Sequence, residues 1–450
     1  MKLFGSTKSG ARLAKNRDVY VSSAGSRNMP SAVVSKKSSK PFSTLAVFLS
    51  IILFLECTYF FLVYTDMPFV KHWRGEYIST AMDTMTKHWL ATLVIPYDVI
   101  DEEYAAPRRK GMEKQDGVES REDWAANIKD TTADITTPNN VDISVTVKDP
   151  NKITEDNFYE WFYEVDPNSF QEYLDQHPDV LDDGWENLYI NEAGLDDSGT
   201  GIQTIHGDQI LAIDVPNKVL IVRVTGSKYG VAYVGALAIG KDPSQLYVRP
   251  SSKIWVAGET VAEIASANNG VLAMTGSAFI DPDGNGNGGE LAGYAMYDGE
   301  GDGYGHMGRG YKRLEIHEDN VMYILDAPTA VSKGTTDAVE FGPALIVDGE
   351  ILVDANCGYT GIQPRACIGQ SDKLAVMMLI IEGRQSHSLG TDVIECAEIL
   401  KKYGCMQSMN LDGGTSAIMW YNGETITKCS NQRLPDGRPL PTAFVYEKAD

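Results

Sequence analysis

The chain has 450 residues, 43% of them apolar, with 42 glycines and 19 prolines, which argues against a disordered polypeptide and suffices for one large domain or two ordinary ones. Its formal net charge of −23, from 62 acidic and 39 basic side chains, argues against a nucleic-acid partner. The charge is unevenly placed: residues 1–42 carry nine basic groups against Asp18 alone, or +8, and residues 43–450 carry 30 against 61, or −31.

At that junction residues 43–64 form an apolar run of bilayer-spanning length. A secretory signal peptide is the competing reading. The long basic leader, the length of the run and the lack of a small-x-small cleavage site favour a retained transmembrane helix over 43–65. The positive-inside rule then predicts a single-pass anchor in the cell membrane, with the tail 1–42 cytoplasmic and the rest extracytoplasmic. Glu56 lies within the span as a tolerated carboxyl. Outside it, Cys357, Cys367, Cys396, Cys405 and Cys429 are odd in number, so at least one is unpaired, and no Cys/His spacing suggests zinc.

Residues 66–100 read as a juxtamembrane segment, helix-compatible from Tyr77 to Leu93, with Lys71, His72, Trp73, Arg74 and Trp89 suited to headgroups. Residues 101–149, charged and poor in apolar groups, read as a solvated stalk. From 150 to 450 the pattern is globular. A helical stretch (Asn157 to His177) precedes β-branched runs over 209–215, 219–224, 231–239, 271–274, 321–325, 344–347, 375–381, 408–411, 417–421 and 442–446. Helices are expected over 258–268 and from Thr391-Asp392 to a stop at Gly404. The expected fold is a single α+β domain of mixed or antiparallel sheets with a few packed helices, preceded by the transmembrane helix and stalk.

Two apolar runs end in residues suited to chemistry. The first runs into Glu382-Gly383-Arg384 and the second into Asn410-Leu411-Asp412-Gly413-Gly414-Thr415-Ser416. Strand exits deliver side chains into clefts, and paired glycines let backbone N–H groups face an anion. With Pro364-Arg365-Ala366-Cys367-Ile368-Gly369, Asn431 and Arg438-Pro439, in this order, the stretch 205–447 resembles the phosphodiester glycosidase family. That family includes the N-acetylglucosamine-1-phosphodiester α-N-acetylglucosaminidases and bacterial exopolysaccharide-biosynthesis-type relatives. The chain has Thr275 where the family commonly has Asn, Glu382 where it often has Asp, and Thr415 where it has a third Gly.

The resemblance implies a hydrolase that cleaves a sugar-1-phosphodiester in a cell-envelope or extracellular glycan or glycoconjugate. A phosphate monoester leaves without protonation, so the chemistry needs a cationic clamp and a carboxylate at the anomeric carbon rather than a general acid. Arg365 and Arg384 are clamp candidates, Asp412 the carboxylate and Glu382 a second acid or orienter. Asn410, Gly413, Gly414, Thr415, Ser416, Asn431, Arg438, Thr275 and His387 are candidates for substrate binding. In an acidic ectodomain the clamp must be local, so Arg365, Arg384 and Arg438 should share one cleft with Asp412. The alternative reading is a non-catalytic binder of anionic surface polysaccharide on the same fold. Ser416 and His387 lack the G-x-S-x-G elbow of a serine hydrolase. Asp281, Asp283 and Asn285 resemble half a calcium loop, but the twelfth position is Ala292, which favours a polar glycine turn. No cofactor is expected; the expected partners are a phosphate-linked carbohydrate and, through residues 43–65, the membrane.

Overall fold

The computed structural model describes residues 41–84, 87–126, 152–191 and 199–449, and the chain divides after Thr58 into two compact units. The basic tail up to residue 40 and the part of the expected stalk over 127–149 lie outside the described residues. The helix Pro41–Tyr64 holds an apolar stretch, Thr44–Tyr64, of 21 residues, long and apolar enough to cross a membrane.

In the unit from Tyr59 onward, the described strands form three antiparallel sheets. The largest has nine strands in the order Tyr189–Asn191, Gln209–Asp214, Val219–Lys228, Val231–Gly240, Val376–Ile381, Arg365–Ser371, Cys405–Asn410, Ala344–Val347 and Glu350–Ile351. Its central strands are buried on both faces. Met377, Leu379 and Ile381 enter one apolar cluster with Phe158, Phe162, Phe170 and the helix Val393–Lys402, while Val376, Met378 and Ile380 enter another. The period-2 geometry of a strand sorts alternate residues between two cores, so the sequence there is continuously apolar. Each such side chain contributes about 1.5–3 kcal/mol of burial.

The second core is closed by two smaller sheets. One orders Met322–Asp326, Lys312–His317, Thr335–Phe341, Tyr294–Tyr297 and Glu300–Gly303, and the other Glu424–Thr425, Met419–Tyr421, Gly270–Thr275, Thr442–Glu447 and Leu246–Pro250. The Val393–Lys402 helix starts where the Asp392 side chain accepts from the Glu395 N–H at 2.8 Å, and has Lys401 and Lys402 in its last turn, complementing the helix dipole. Among the described residues every cysteine is a free thiol, and the five after the apolar helix are buried.

Two expectations are corrected. The juxtamembrane helix runs over Pro68–Met82 rather than from Tyr77 to Leu93; Asp83 ends it, and only a short turn, Trp89–Thr92, follows. Residues 101–126 are a packed strap, not a stalk. The helix Ala106–Gln115 ends with the Gln115 amide bonded both ways to the Ala344 backbone, at 2.9 and 3.0 Å. Ser120 N–H donates to Ile324 O at 2.8 Å, and Trp124 Nε1 donates to Met322 O at 3.0 Å. The buried Lys312 ammonium donates to Gln115 O and Val118 O at 2.6 and 2.7 Å and to Asp326 Oδ1. A segment poor in apolar groups docks by supplying donors and acceptors to strand backbones that need them.

Candidate functional site

Antiparallel pairing builds the site. Arg365 opens the central strand Arg365–Ser371, which pairs with Val376–Ile381 on one side (Arg365 opposite Ile381) and Cys405–Asn410 on the other (Cys367 opposite Asn410). The start of one strand therefore lies beside the ends of both neighbours, and the exits 382–384 and 411–416 emerge next to Arg365. Glycine permits the close approach: a Cβ on Gly413 would lie 2.5 Å from Pro364 O, and one on Gly383 2.7 Å from Pro364 N.

The result is a cleft of about 360 Å³ lined by Arg365, Arg384, Arg438, Asp412 and the turn 413–416, with Asn410 at its edge. The three arginines differ in their partners. Arg438 grips Asp281 with both nitrogens, at 2.6 and 3.0 Å, and lies 4.5 Å from the centre of the Phe279 ring. Burial opposes the charge on Asp281, but the Arg438 bonds outweigh it and hold the carboxyl below its ordinary value. Arg365, only 7% exposed, donates to the backbone oxygens of Thr391 (3.1 Å), Gly361 (2.5 Å) and Tyr359 (3.4 Å). Arg384 donates to Gln363 Oε1 and to Thr84 Oγ1 at 3.2 Å.

Neither Arg365 nor Arg384 forms an ion pair among the described residues. Burial and then the Arg365 charge depress the Arg384 pKa, opposed by Asp83 and Asp412. Arg365, buried, and Arg384, adjacent to it but solvent-exposed, bond only neutral oxygens among the described residues and so leave guanidinium charge available to an anion.

Asp412 follows Leu411, whose N–H still pairs with Ala366 O at 2.8 Å. Burial raises its pKa, partly offset by a hydrogen bond from Ser416 and by the Arg438 and Arg384 charges. The turn after it is less open to an anion than expected, because the Gly414 N–H donates to Pro364 O at 3.1 Å. The Asn410 amide donates to Gly342 O at 3.1 Å, and its Oδ1 has no partner among the described residues.

Four expected residues do not line the cleft. Glu382 is buried, accepting from the Lys428 N–H at 2.6 Å and bonding His387 Nε2 at 2.6 Å. It therefore staples the loop 382–388 to residue 428, and His387 is its partner at a neighbouring surface. Thr275 is fully buried at the end of its strand. Asn431 lines an adjoining cavity that shares Arg384 and Thr415 with the cleft. Asp281 of the half calcium loop is occupied by Arg438 and by the Gly286 N–H at 2.7 Å.

The sequence reading missed a wall supplied by the strap and the preceding helix. Arg108 Nη1 donates to Asp83 Oδ1 (2.8 Å) and Tyr104 OH (2.6 Å), and its guanidinium stacks 4.2 Å from the centre of the Tyr359 ring; all four residues line the cleft. No motif marks Asp83, Tyr104 and Arg108, which lie far from Arg365 and Arg384 in sequence, the last two in a segment whose composition suggests solvation.

Comparison with known proteins gives partial likenesses. Residues 268–447 match the family model described as phosphodiester glycosidase. A Bacillus subtilis SPbeta prophage-derived uncharacterized protein, YomE, is 24% identical over 202 residues, covering 42% of this chain and 29% of that relative's length. Among solved structures, the zebrafish N-acetylglucosamine-1-phosphodiester alpha-N-acetylglucosaminidase catalytic domain, auto-inhibited by pro-peptide, aligns over 64% of this chain and 95% of its own, at 17% identity and TM-score 0.45. A hypothetical protein from Synechocystis aligns over 54% of this chain and 65% of its own, at 12% identity and TM-score 0.37. The segment that matches the phosphodiester glycosidase family model, residues 268–447, is the one that supplies Arg365, Arg384, Asp412 and Arg438 to the cleft.

Proposed function

We propose that the cleft hydrolyses a sugar-1-phosphodiester at the anomeric carbon. The observation that carries this reading is the pair Arg365, buried, and Arg384, exposed beside it, which line one cleft with Asp412 and form no ion pair among the described residues. A phosphodiester brings the missing negative charge, and guanidinium forks suit its two free oxygens. In the reaction the C1–O bond breaks and its electron pair leaves on the phosphate oxygen, where the arginines stabilise the growing charge. Water supplies the new oxygen on C1, and its proton is released to solvent. Asp412, ionised, stabilises the oxocarbenium-like carbon, activates that water or attacks first. Arg438, committed to Asp281, fixes the cleft floor. Arg108, Asp83 and Tyr104 complete the wall opposite.

The apolar helix and the charge asymmetry around it support a membrane-anchored protein with this domain on the extracytoplasmic side, facing phosphate-linked envelope or extracellular glycans. The test is release of free sugar from an N-acetylglucosamine-1-phosphodiester by the full chain, since a fragment starting at residue 150 would lack the cleft wall. Turnover by wild type and its loss in Asp412→Asn, with the fold intact, are expected. Unchanged turnover in that variant removes Asp412 from the mechanism, and tight binding without release replaces the enzyme with a polysaccharide-binding module.

A further inference from the structure

A second cavity, of about 940 Å³, adjoins the arginine cleft, and Thr84, Arg384 and Thr415 line both. Its wall includes Trp73, Tyr77, Leu90, Ile362 and Leu389, with Lys87 and Arg433 as further cations. A third cavity, of about 520 Å³, shares Trp73 and Tyr77 with the second and is otherwise lined mainly by apolar groups, among them Leu62, Val63, Phe69, Val94 and Ile95. Leu62 and Val63 belong to the last turns of the apolar helix. A chain of cavities thus runs from Leu62 and Val63 at the end of the apolar helix, past an aromatic chamber, to Arg384 and the arginine cleft.

The junction is held by specific bonds. Arg74 Nη1 caps the apolar helix by donating to Leu62 O and Thr65 O, at 3.3 and 3.0 Å, and its Nη2 donates to Glu103 Oε1 at 2.6 Å. Tyr77 OH donates to Leu90 O at 2.6 Å, and Tyr59 OH to Val94 O at 2.9 Å. Around the outer end Phe69, Leu93 and Tyr97 are 73–76% exposed, a concentration of bare apolar surface at the apolar helix's end.

We infer that the substrate is lipid-linked: the phosphodiester sits on Arg365 and Arg384, and the hydrocarbon of its leaving alcohol lies in the aromatic chamber leading toward the membrane. The inference rests on the proposed reaction and specifies which side of the phosphate is apolar. Three features favour a hydrocarbon over a second sugar or a peptide. The chamber's polarity falls with distance from the arginines, its far end meets the apolar helix, and phosphate charge and alkyl chain have matching surfaces in that order. Each methylene taken from water is worth roughly a fourfold gain in affinity.

The test compares the methyl and decyl esters of N-acetylglucosamine-1-phosphate, with the full chain in lipid nanodiscs. The decyl ester should show at least a tenfold higher kcat/KM. Leu389→Glu and, separately, Leu90→Glu, both at exposed positions outside the arginine cleft, should erase that advantage and leave the methyl ester within twofold. Equal kcat/KM for the two esters in wild type would overturn the inference while leaving the glycosidase reading intact. If neither ester is cleaved, calorimetry with decyl phosphate and methyl phosphate separates the two claims. At least tenfold tighter decyl phosphate binding to wild type than to Leu389→Glu, a difference that cancels partition into the bilayer, supports the lipid chamber without the reaction; equal binding overturns it.

Discussion

Replacing Arg384 by Met should separate binding from folding. The substitution removes a donor to Gln363 Oε1 and another to Thr84 Oγ1, bonds from a charged group worth about 1.5–3 kcal/mol each. It also removes a cation whose pKa is depressed by burial of its head group and by Arg365, but because Arg384 is solvent-exposed water screens that charge and the relief is small, about 1 kcal/mol or less. Water in the open cleft can rehydrate Gln363 and Thr84, so the two effects should cancel to within about 1 kcal/mol of wild-type stability. Anion binding should not survive so well. Truncating one member of a close charge pair typically costs about 2–5 kcal/mol, and 2 kcal/mol is already about a 30-fold loss of affinity. At inorganic phosphate a hundredfold above the wild-type Kd, wild type should gain about 2.7 kcal/mol and the variant about 1 kcal/mol or less. Unfolding followed with and without phosphate reads both quantities. A variant destabilised by 3 kcal/mol without phosphate, or stabilised by phosphate as fully as wild type, would refute the view that Arg384 is held in reserve for an anion.

Arg438→Met should behave oppositely and cost about 3 kcal/mol or more, because it strands the Asp281 carboxylate, which is only 8% exposed; a variant as stable as wild type in a denaturant melt would contradict this. Gly111→Ala, in a helix where alanine ordinarily helps by about 1 kcal/mol, should destabilise the protein, since the new Cβ would lie 2.4 Å from Cys357 O; a raised melting temperature would mean that the strap is not inlaid as described. If ionised Asp412 is required, the acid limb of kcat/KM should lie above the ordinary aspartate pKa of about 3.9, because burial raises it. The same shift has a stability sign. A raised carboxyl pKa favours the fold below the unfolded value and is lost as pH rises through the folded one, so Asp412→Asn should gain stability relative to wild type toward neutral pH. A stability difference that does not change with pH would argue against a raised pKa.

The sheet was legible where burial on both faces makes a strand continuously apolar, as in Val376–Ile381. Its neighbour Arg365–Ser371 was not. Arg, Cys, Gly, Gln and Ser interrupt that strand, yet all seven residues are buried. Gln370 is satisfied by accepting from Met322 N–H at 2.7 Å and donating to Asn320 O at 2.8 Å, and Gly369 has no room for a Cβ, which would meet Gln407 O at 2.4 Å. Tertiary partners, not propensity, make it a strand. The same cause hid the strap, whose polar side chains read as solvent-seeking until Ala344, Ile324 and Met322 appear as their partners. At the site, the motif residues Arg365, Arg384 and Asp412 share a cleft because antiparallel neighbours align starts with ends. The spacing of Glu382 and His387 suggested chemistry, but a carboxylate two residues before an arginine on a turning backbone, with Arg384 at φ 58°, faces a different surface.

The most direct measurement follows the oxygen. Hydrolysis of an N-acetylglucosamine-1-phosphodiester in ¹⁸O-water should place the label on the sugar's anomeric hydroxyl and leave the released phosphate monoester unlabelled, because the C1–O bond breaks. Label in the phosphate would mean attack at phosphorus, and the cleft would then be a phosphodiesterase site rather than a glycosidase one.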